Sequence, residues 1–223
     1  MQRVAAIVSA YFCADFLAGR IDNLREQECE IVAVAQAGSD ELQILTDMNV
    51  DNITITPDIP TIYAAWNMAI NASESKYITN QNSDDRMYPG ALAKMADLLD
   101  AQKNFGVVYS DVDMVAEIGG AVTGTYKNQR TDLETLLTIC NVGPFPMWRR
   151  SLHNKYGFFD ESYKVAGDYE FWLRLAAGGT RFWYMPESLG MYIDRPESAE
   201  HRQPVRTAWE TARAKRPYKE LRK

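Results

Sequence analysis

The sequence predicts an α/β domain: a mostly parallel central sheet flanked by helices, with a small antiparallel β-hairpin region. Three observations carry that prediction. Short β-type runs at 4–9, 30–35, 52–56, 77–80 and 105–110 alternate with stretches of helical spacing. The first run, VAAIVS, is continuously apolar, as a strand covered on both faces must be. Each strand follows its predecessor too closely for anything but right-handed crossovers.

The elements follow in order. A helix over 14–27 places Leu17, Ile21 and Leu24 at helical spacing. The strand 30–35 closes at Gly38-Ser39-Asp40, where Ser39 can cap a helix over 41–47. The strand 52–56 is ended by Pro57. The helix over 62–72 carries one apolar stripe, Ile62, Ala65, Trp66, Ala69 and Ile70, opposite a row of Tyr63, Asn67 and Asn71. After the strand 77–80, Pro89 fits the first turn of a helix over 89–100 that turns Leu92, Met95, Ala96 and Leu99 inward. Beyond residue 111 the rhythm changes. Gly119-Gly120 between β-type flanks reads as a hairpin over 113–126, followed by a short helix over 133–139. GPFPMWRR, residues 143–150, is too proline-rich for a central element and reads as a loop or edge strand. Gly167 precedes a strong helix over 168–177 with Tyr169, Trp172, Leu173 and Ala176 on its core face. Short strands at 181–184 and 189–193 and a helix over 202–215 complete the chain.

Composition narrows the function classes. A chain of 223 residues, 46% hydrophobic and 24% charged, is ordinary for one globular domain. A net charge of −6 gives no electrostatic case for nucleic acid. Eight Lys/Arg lie between 202 and 223 against Glu210 and Glu220; this basic tail reads as a solvated helix face, with at most peripheral contact to an acidic membrane surface. Cys13, Cys29 and Cys140 have no zinc-site spacing and read as buried small hydrophobes in a reducing compartment. The chain starts directly on a strand, and no apolar run approaches the ~20 residues of a membrane span, so a cytoplasmic location is expected.

Candidate chemistry centres on YITNQNSDD, residues 77–85, a strand that ends in adjacent carboxylates, Asp84 and Asp85. Ligands of α/β sheets bind beyond the carboxyl ends of the strands. Such a pair suits Mg2+ or Mn2+ shared with a phosphate, and equally a solvated turn in which Asp84 caps the next helix. No GxGxxG follows the first strand, and there is no GxxxxGK[ST] and no GxSxG, so dinucleotide, P-loop and Ser-His-Asp chemistry lose their main support. The two histidines, His153 and His201, read as surface residues. Asp168 stands at a helix N-terminus, as a cap or as a base; Glu170 lies about 200° further round and cannot pair with it. Trp66 and Trp172 lie on apolar stripes and read as core.

The chain resembles the inverting glycosyltransferases of family 2, which have the GT-A (nucleotide-diphospho-sugar transferase) fold. The likeness runs from Val4 to about Ser198 through VAAIVSAYF, EIVAVAQAGSDE, IYAAWNMAI, YITNQNSDD and, most specifically, PMWRRSLHNKYGFFDESYKVAGDYEFWLRLA. It implies a single catalytic domain over 1–223: a nucleotide-sugar-binding half over 1–111, an acceptor half over 112–200 and the basic tail over 201–223. The implied activity is hexosyl transfer from a nucleotide-diphosphate sugar (UDP favoured over GDP or dTDP) to a hydroxyl of a glycan or glycoconjugate, with Mn2+ or Mg2+. By the same resemblance Asp168 is the catalytic base, Asp84 and Asp85 hold the metal, and Ser9, Tyr11, Gln36, Asn67, Asp84 and Arg195 contact the donor. Trp148, Arg149 and Asp160 flank the acceptor, and Trp148, Trp183 and Tyr192 are candidates for sugar stacking.

Four positions depart from the family pattern. The aspartate pair after the second strand is Gln36-Ala37, the first Asp of Asp-X-Asp is Asn82, the Glu before the base is Gly167, and the late His is Arg195, which can clamp phosphate oxygens. The competing readings are a nucleotidyltransferase, which needs a basic Gly-rich loop that SAYFCADF lacks, a non-catalytic nucleotide- or glycan-binding module, and one domain of a larger multidomain transferase.

Overall fold

The structure, a computed structural model, describes residues 2–193 and 202–221. In chain order its elements are β1 (Val4–Ala10), α1 (Ala14–Arg25), β2 (Glu30–Gln36), α2 (Asp40–Asp47), β3 (Asn52–Thr56), α3 (Ile62–Asn71), β4 (Tyr77–Asn80), β5 (Arg86–Met87), α4 (Ala91–Ala101) and β6 (Val107–Val115). There follow β7 (Val122–Tyr126), α5 (Leu133–Thr138), β8 (Met147–Arg149), α6 (Leu152–Tyr156), α7 (Gly167–Ala177), β9 (Phe182–Ile193), α8 (Pro204–Lys215) and a 3-10 turn, Arg216–Leu221.

Among the described residues one sheet has the order β3-β2-β1-β4-β8-β6-β9-β5, with β7 paired to β6. β3, β2, β1 and β4 are mutually parallel, and β9 is parallel to β6. The period of two along β1 divides its side chains between the two faces. Ala6, Val8 and Ala10 pack with Leu17, Ile21 and Leu24 of α1, whereas Ala5 and Ile7 pack with α3 and α7 through Ala69, Ile70 and Trp172. α4 covers the remainder through Leu92, Met95 and Leu99 against Tyr77, Val108 and Met147. Ser39 Oγ accepts from the Leu42 backbone N–H at 3.2 Å and caps α2 as its position predicts.

Three expectations are corrected. β8 is central, antiparallel between β4 and β6, because Pro144 and Pro146 lie ahead of it and leave Met147–Arg149 free to pair. The two late strands are one, β9, whose pairing with β6 slips between Met185 and Ser188 to accommodate Pro186 and Glu187. α3 buries Tyr63 and Asn67 of its second row, which α7 and the loop before it cover, and leaves Asn71 exposed. The basic tail keeps Arg202, Arg206, Arg216 and Lys219 exposed, as a solvated basic face requires, while α8 packs against α7 and buries Glu210 and Ala214.

Candidate active site

The carboxyl ends of β1, β2 and β4 bring one group of candidate residues to a common edge. Ser9 is half-buried at the end of β1, and Tyr11 just beyond it is exposed, its ring centroid 4.2 Å from that of Phe12. Gln36 ends β2, and its amide donates to the Pro57 carbonyl at 3.2 Å. Asn80 ends β4, where its amide donates to the Pro144 carbonyl at 3.3 Å.

A polar stripe of α1 grips the segment that follows β4. Arg20 is fully buried; Nη1 donates to the Asp85 carbonyl at 2.9 Å, and Nη2 donates to Gln81 Oε1. Asn23 exchanges two hydrogen bonds with the Met87 backbone, and Gln27 donates to the Tyr88 carbonyl at 3.1 Å. Arg20, Asn23 and Gln27 recur at helical spacing about 90° round from Leu17, Ile21 and Leu24. They form a cradle, and Arg86 completes it by donating to the Ser83 carbonyl at 2.8 Å.

This cradle divides the carboxylate pair. Asp84 is half-buried, whereas Asp85 is 1% exposed and accepts from Asn82 Nδ2 at 3.2 Å and from the Ile193 backbone N–H at 3.4 Å. Burial and the neighbouring Asp84 push the Asp85 carboxyl up to about 7, against the pull of Arg20. Burial lowers the Arg20 guanidinium to about 10, which leaves it charged at neutral pH. The expectation that both carboxylates face a cation is corrected: Asp85 turns inward as an anchor, and Asp84 is the one with exposed surface. Among the described residues no group of three His, Cys, Asp or Glu side chains is placed to hold an ion by itself. The donor set fits Mg2+ or Mn2+ only as phosphate sites do, where one or two carboxylates share the ion with substrate oxygens.

A cavity of about 690 Å³ opens beside this edge. Its wall includes Asn80 and Asn82 from the end of β4, Trp66, Asp168, Tyr169 and Trp172 from the helices behind, and Tyr192 of β9; Thr207, Thr211 and Lys215 of α8 line it too. Asp168 is the second residue of α7 and accepts from Tyr63 Oη at 3.2 Å. The adjacent Gly167 is required by Tyr63, because a Cβ there would lie 2.7 Å from the ring. The small residue in place of a glutamate thus has a steric cause.

The acceptor-side candidates fall elsewhere. Trp148 has no exposed surface and donates from Nε1 to His153 Nε2 at 2.8 Å, so it has no face to offer a sugar. Arg149 pairs with Tyr77 at the start of β4, the opposite end of the sheet, and its guanidinium donates to the carbonyls of Phe105 and Leu99. Asp160 accepts from Ser162 and Arg213 on the loop before α7. Asn67 is 6% exposed and locks the same loop by exchanging hydrogen bonds with the Phe159 backbone at 2.9 and 3.0 Å. Trp183 packs on Phe105; of the three stacking candidates, Tyr192 reaches the cavity. Arg195 and His201 lie outside the described residues. His153 is buried, not superficial, between Phe158 and Phe171, and burial lowers it to about 4. Cys13 is buried and Cys29 half-buried, but Cys140 is exposed, which corrects the uniform expectation for the thiols.

An open parallel edge with a polar cradle beneath it, a half-buried carboxylate beyond β4 and a neighbouring cavity lined by Asn80, Asn82 and Asp168 make up the site of this α/β protein. Residues 5–157 match the sequence profile of glycosyl transferase family 2, and the chain belongs to that family. The match ends before Asp168. An uncharacterized glycosyltransferase of Rickettsia prowazekii is 24% identical over 187 residues, covering 77% of this chain and 58% of its own length. The chain therefore spans a little over half the length of that relative. Among solved structures, S. aureus TarS 1-349 in complex with UDP is similar with a TM-score of 0.70 at 17% identity, over 95% of this chain and 64% of that one. The mannosyltransferase PcManGT of Pyrobaculum calidifontis, in complex with GDP-Man and Mn2+, is similar with a TM-score of 0.69 at 19% identity, over 96% of this chain and 63% of that one. These likenesses identify the architecture as the GT-A fold.

Proposed function

We propose that this protein is a metal-assisted, inverting glycosyltransferase that moves a sugar from a nucleotide-diphosphate donor to a hydroxyl of a glycan or glycoconjugate. The observation that carries the reading is the shared cavity: Asn80 and Asn82, from the strand end that serves as donor edge, and Asp168 line one continuous space. The nucleotide lies over Ser9, Tyr11 and Gln36, and Gln36 offers both a donor and an acceptor to a base edge. Asn82 and Asp84 face the ribose and diphosphate, while Arg20 and Asp85 hold their loop from below. Asp84 would hold Mg2+ or Mn2+, which would supply charge neutralisation for the departing diphosphate. Asp168 accepts the proton of the attacking hydroxyl, and Tyr63 orients its carboxylate. The acceptor occupies the part of the cavity bounded by Tyr192 and by Thr207 and Thr211 of α8, not the region of Trp148 and Arg149.

The nucleotides bound to TarS and PcManGT support a UDP- or GDP-sugar as donor. Cys13 and Cys29 are free thiols, which suits a cytoplasmic site of action. Among the described residues no helix is long and apolar enough to cross a membrane.

A thermal-shift panel of UDP-, GDP- and dTDP-sugars, each with Mn2+, with Mg2+ and with EDTA, tests the reading. One donor is expected to raise Tm in a metal-dependent way, since ligand at a hundred times its Kd adds about 2.7 kcal/mol to the folded state. Transfer with that donor is expected to fall by about 10²–10⁴-fold in Asp168→Asn, the range a general base supplies, with donor affinity retained. No shift with any donor would favour a domain that lacks this activity on its own.

A further inference from the structure

α7 begins without a capping side chain: its N-cap residue is Ala166. The first backbone N–H groups of a helix need partners from outside it. Here the Ala166 amide, the first of them, finds its partner on α8. Glu210, 2% exposed, accepts from Lys164 N at 3.0 Å with both carboxylate oxygens, and Oε2 accepts in addition from Val165 N at 2.9 Å and Ala166 N at 3.0 Å. Three consecutive amides thus converge on one carboxylate, an anion-binding nest at the positive end of α7. Asp168 follows two residues after the last of them.

The same face of α8 reaches the cavity. Thr207, Thr211 and Lys215 recur every four residues beside Glu210 and line the wall that Asp168 faces. Lys215 Nζ also donates to the Thr138 carbonyl at 3.3 Å, which ties the helix to the end of α5. One element therefore anchors the loop leading to the base and encloses the space in front of it.

We propose that Glu210 is a positioning residue for Asp168, so that the C-terminal helix is part of the catalytic apparatus. The proposal rests on Asp168 being the base, and it concerns a region beyond the residues that match the family profile. The carboxylate holds residues 164–166 in the single arrangement that sets the first turn of α7, and with it the reach of Asp168 to an acceptor hydroxyl.

The test compares Glu210→Gln, which keeps the volume and removes the charge, with the parent chain, each also in an Asp168→Asn background. Glu210→Gln is expected to lower kcat about tenfold or more, as sub-ångström misplacement of a catalytic group does. Donor affinity should stay within about twofold, because the donor edge is untouched. Amides 164–166 should exchange hydrogen faster, a readout independent of turnover. In the Asp168→Asn background the Glu210→Gln effect on kcat should vanish, since residues acting as a unit are not additive. An equal fall in both backgrounds, or faster exchange with kcat unchanged, would show that Glu210 only stabilises the fold and overturn the proposal. Full turnover in Asp168→Asn alone would instead remove the base, and this proposal with it. If Glu210→Gln lowers Tm, kcat is read well below its transition, where a purely structural role predicts the parental value.

Discussion

Substituting Gly167 by alanine tests how tightly the base is held. An added Cβ would lie 2.7, 2.8 and 2.9 Å from Cε2, Cδ2 and Cζ of Tyr63, whereas ordinary contact starts at 3.4 Å. The ring or the first turn of α7 must therefore move by about 0.7 Å, the difference between those limits. Tyr63 cannot easily yield: it is 2% exposed, edge-on to Trp66 at 5.4 Å and stacked on Phe159 at 6.0 Å. The displacement is expected at α7, where Tyr63 meets Asp168. Overpacking of this kind costs about 1–3 kcal/mol. At about 2–4 °C per kcal/mol for a chain of this size, Tm should fall by about 2–12 °C. A misplacement approaching 1 Å costs up to about 10²-fold in rate, so kcat should fall about tenfold or more. Melts and initial rates on Gly167→Ala, Tyr63→Leu and the double variant measure both effects. The double variant should be more stable than the sum of the single losses by about 1 kcal/mol or more, because the leucine vacates the contested space. Parental Tm and kcat in Gly167→Ala, or strict additivity in the double variant, would refute the steric reasoning.

The divided carboxylate pair predicts opposite phenotypes. Asp84→Asn should abolish the metal-dependent part of donor binding with little loss of Tm, whereas Asp85→Ala should chiefly destabilise, because it removes the buried acceptor of Asn82 Nδ2 and the Ile193 backbone N–H; equal donor defects with equal Tm would contradict the division. Trp148→Ala should cost about 3–5 kcal/mol, read as a lower urea midpoint, with acceptor KM retained in whatever fraction folds. His153 is held neutral below its ordinary 6.5, down to about 4, so its contribution is complete above pH 6.5 and is lost as pH falls toward 4. Between pH 7 and pH 5 that loss is about 2 kcal/mol, and a His153→Gln variant should lack it; identical pH slopes in urea titrations would refute it. Asp85, raised to about 7, acts in the other direction, since its buried acid form loses its advantage as pH rises from 3.8 toward 7. The slope is therefore to be compared between variants, not read from the parent alone.

The alternation of apolar runs and helical stretches determined the architecture, because a strand buried on both faces and an amphipathic helix each announce themselves in local periodicity. The same locality places Ser9, Gln36 and Asn80 at strand ends, and parallel pairing gathers strand ends at one edge. What depended on partners distant in sequence was misread. His153 looks superficial until Trp148 donates to it. Trp148 and Arg149 follow the motif that suggests an acceptor site, yet antiparallel insertion of β8 points one into the core and the other to the far end of the sheet. Glu210 carries no local signal at all: a lone acid in a basic helix acquires its role when three backbone amides, 44 to 46 residues upstream, close on its carboxylate. Periodicity and strand ends are properties of neighbouring residues and were written in the sequence; the burial of individual charges, and the side of the cavity on which an acceptor can stand, were decided when helices from opposite ends of the chain packed together.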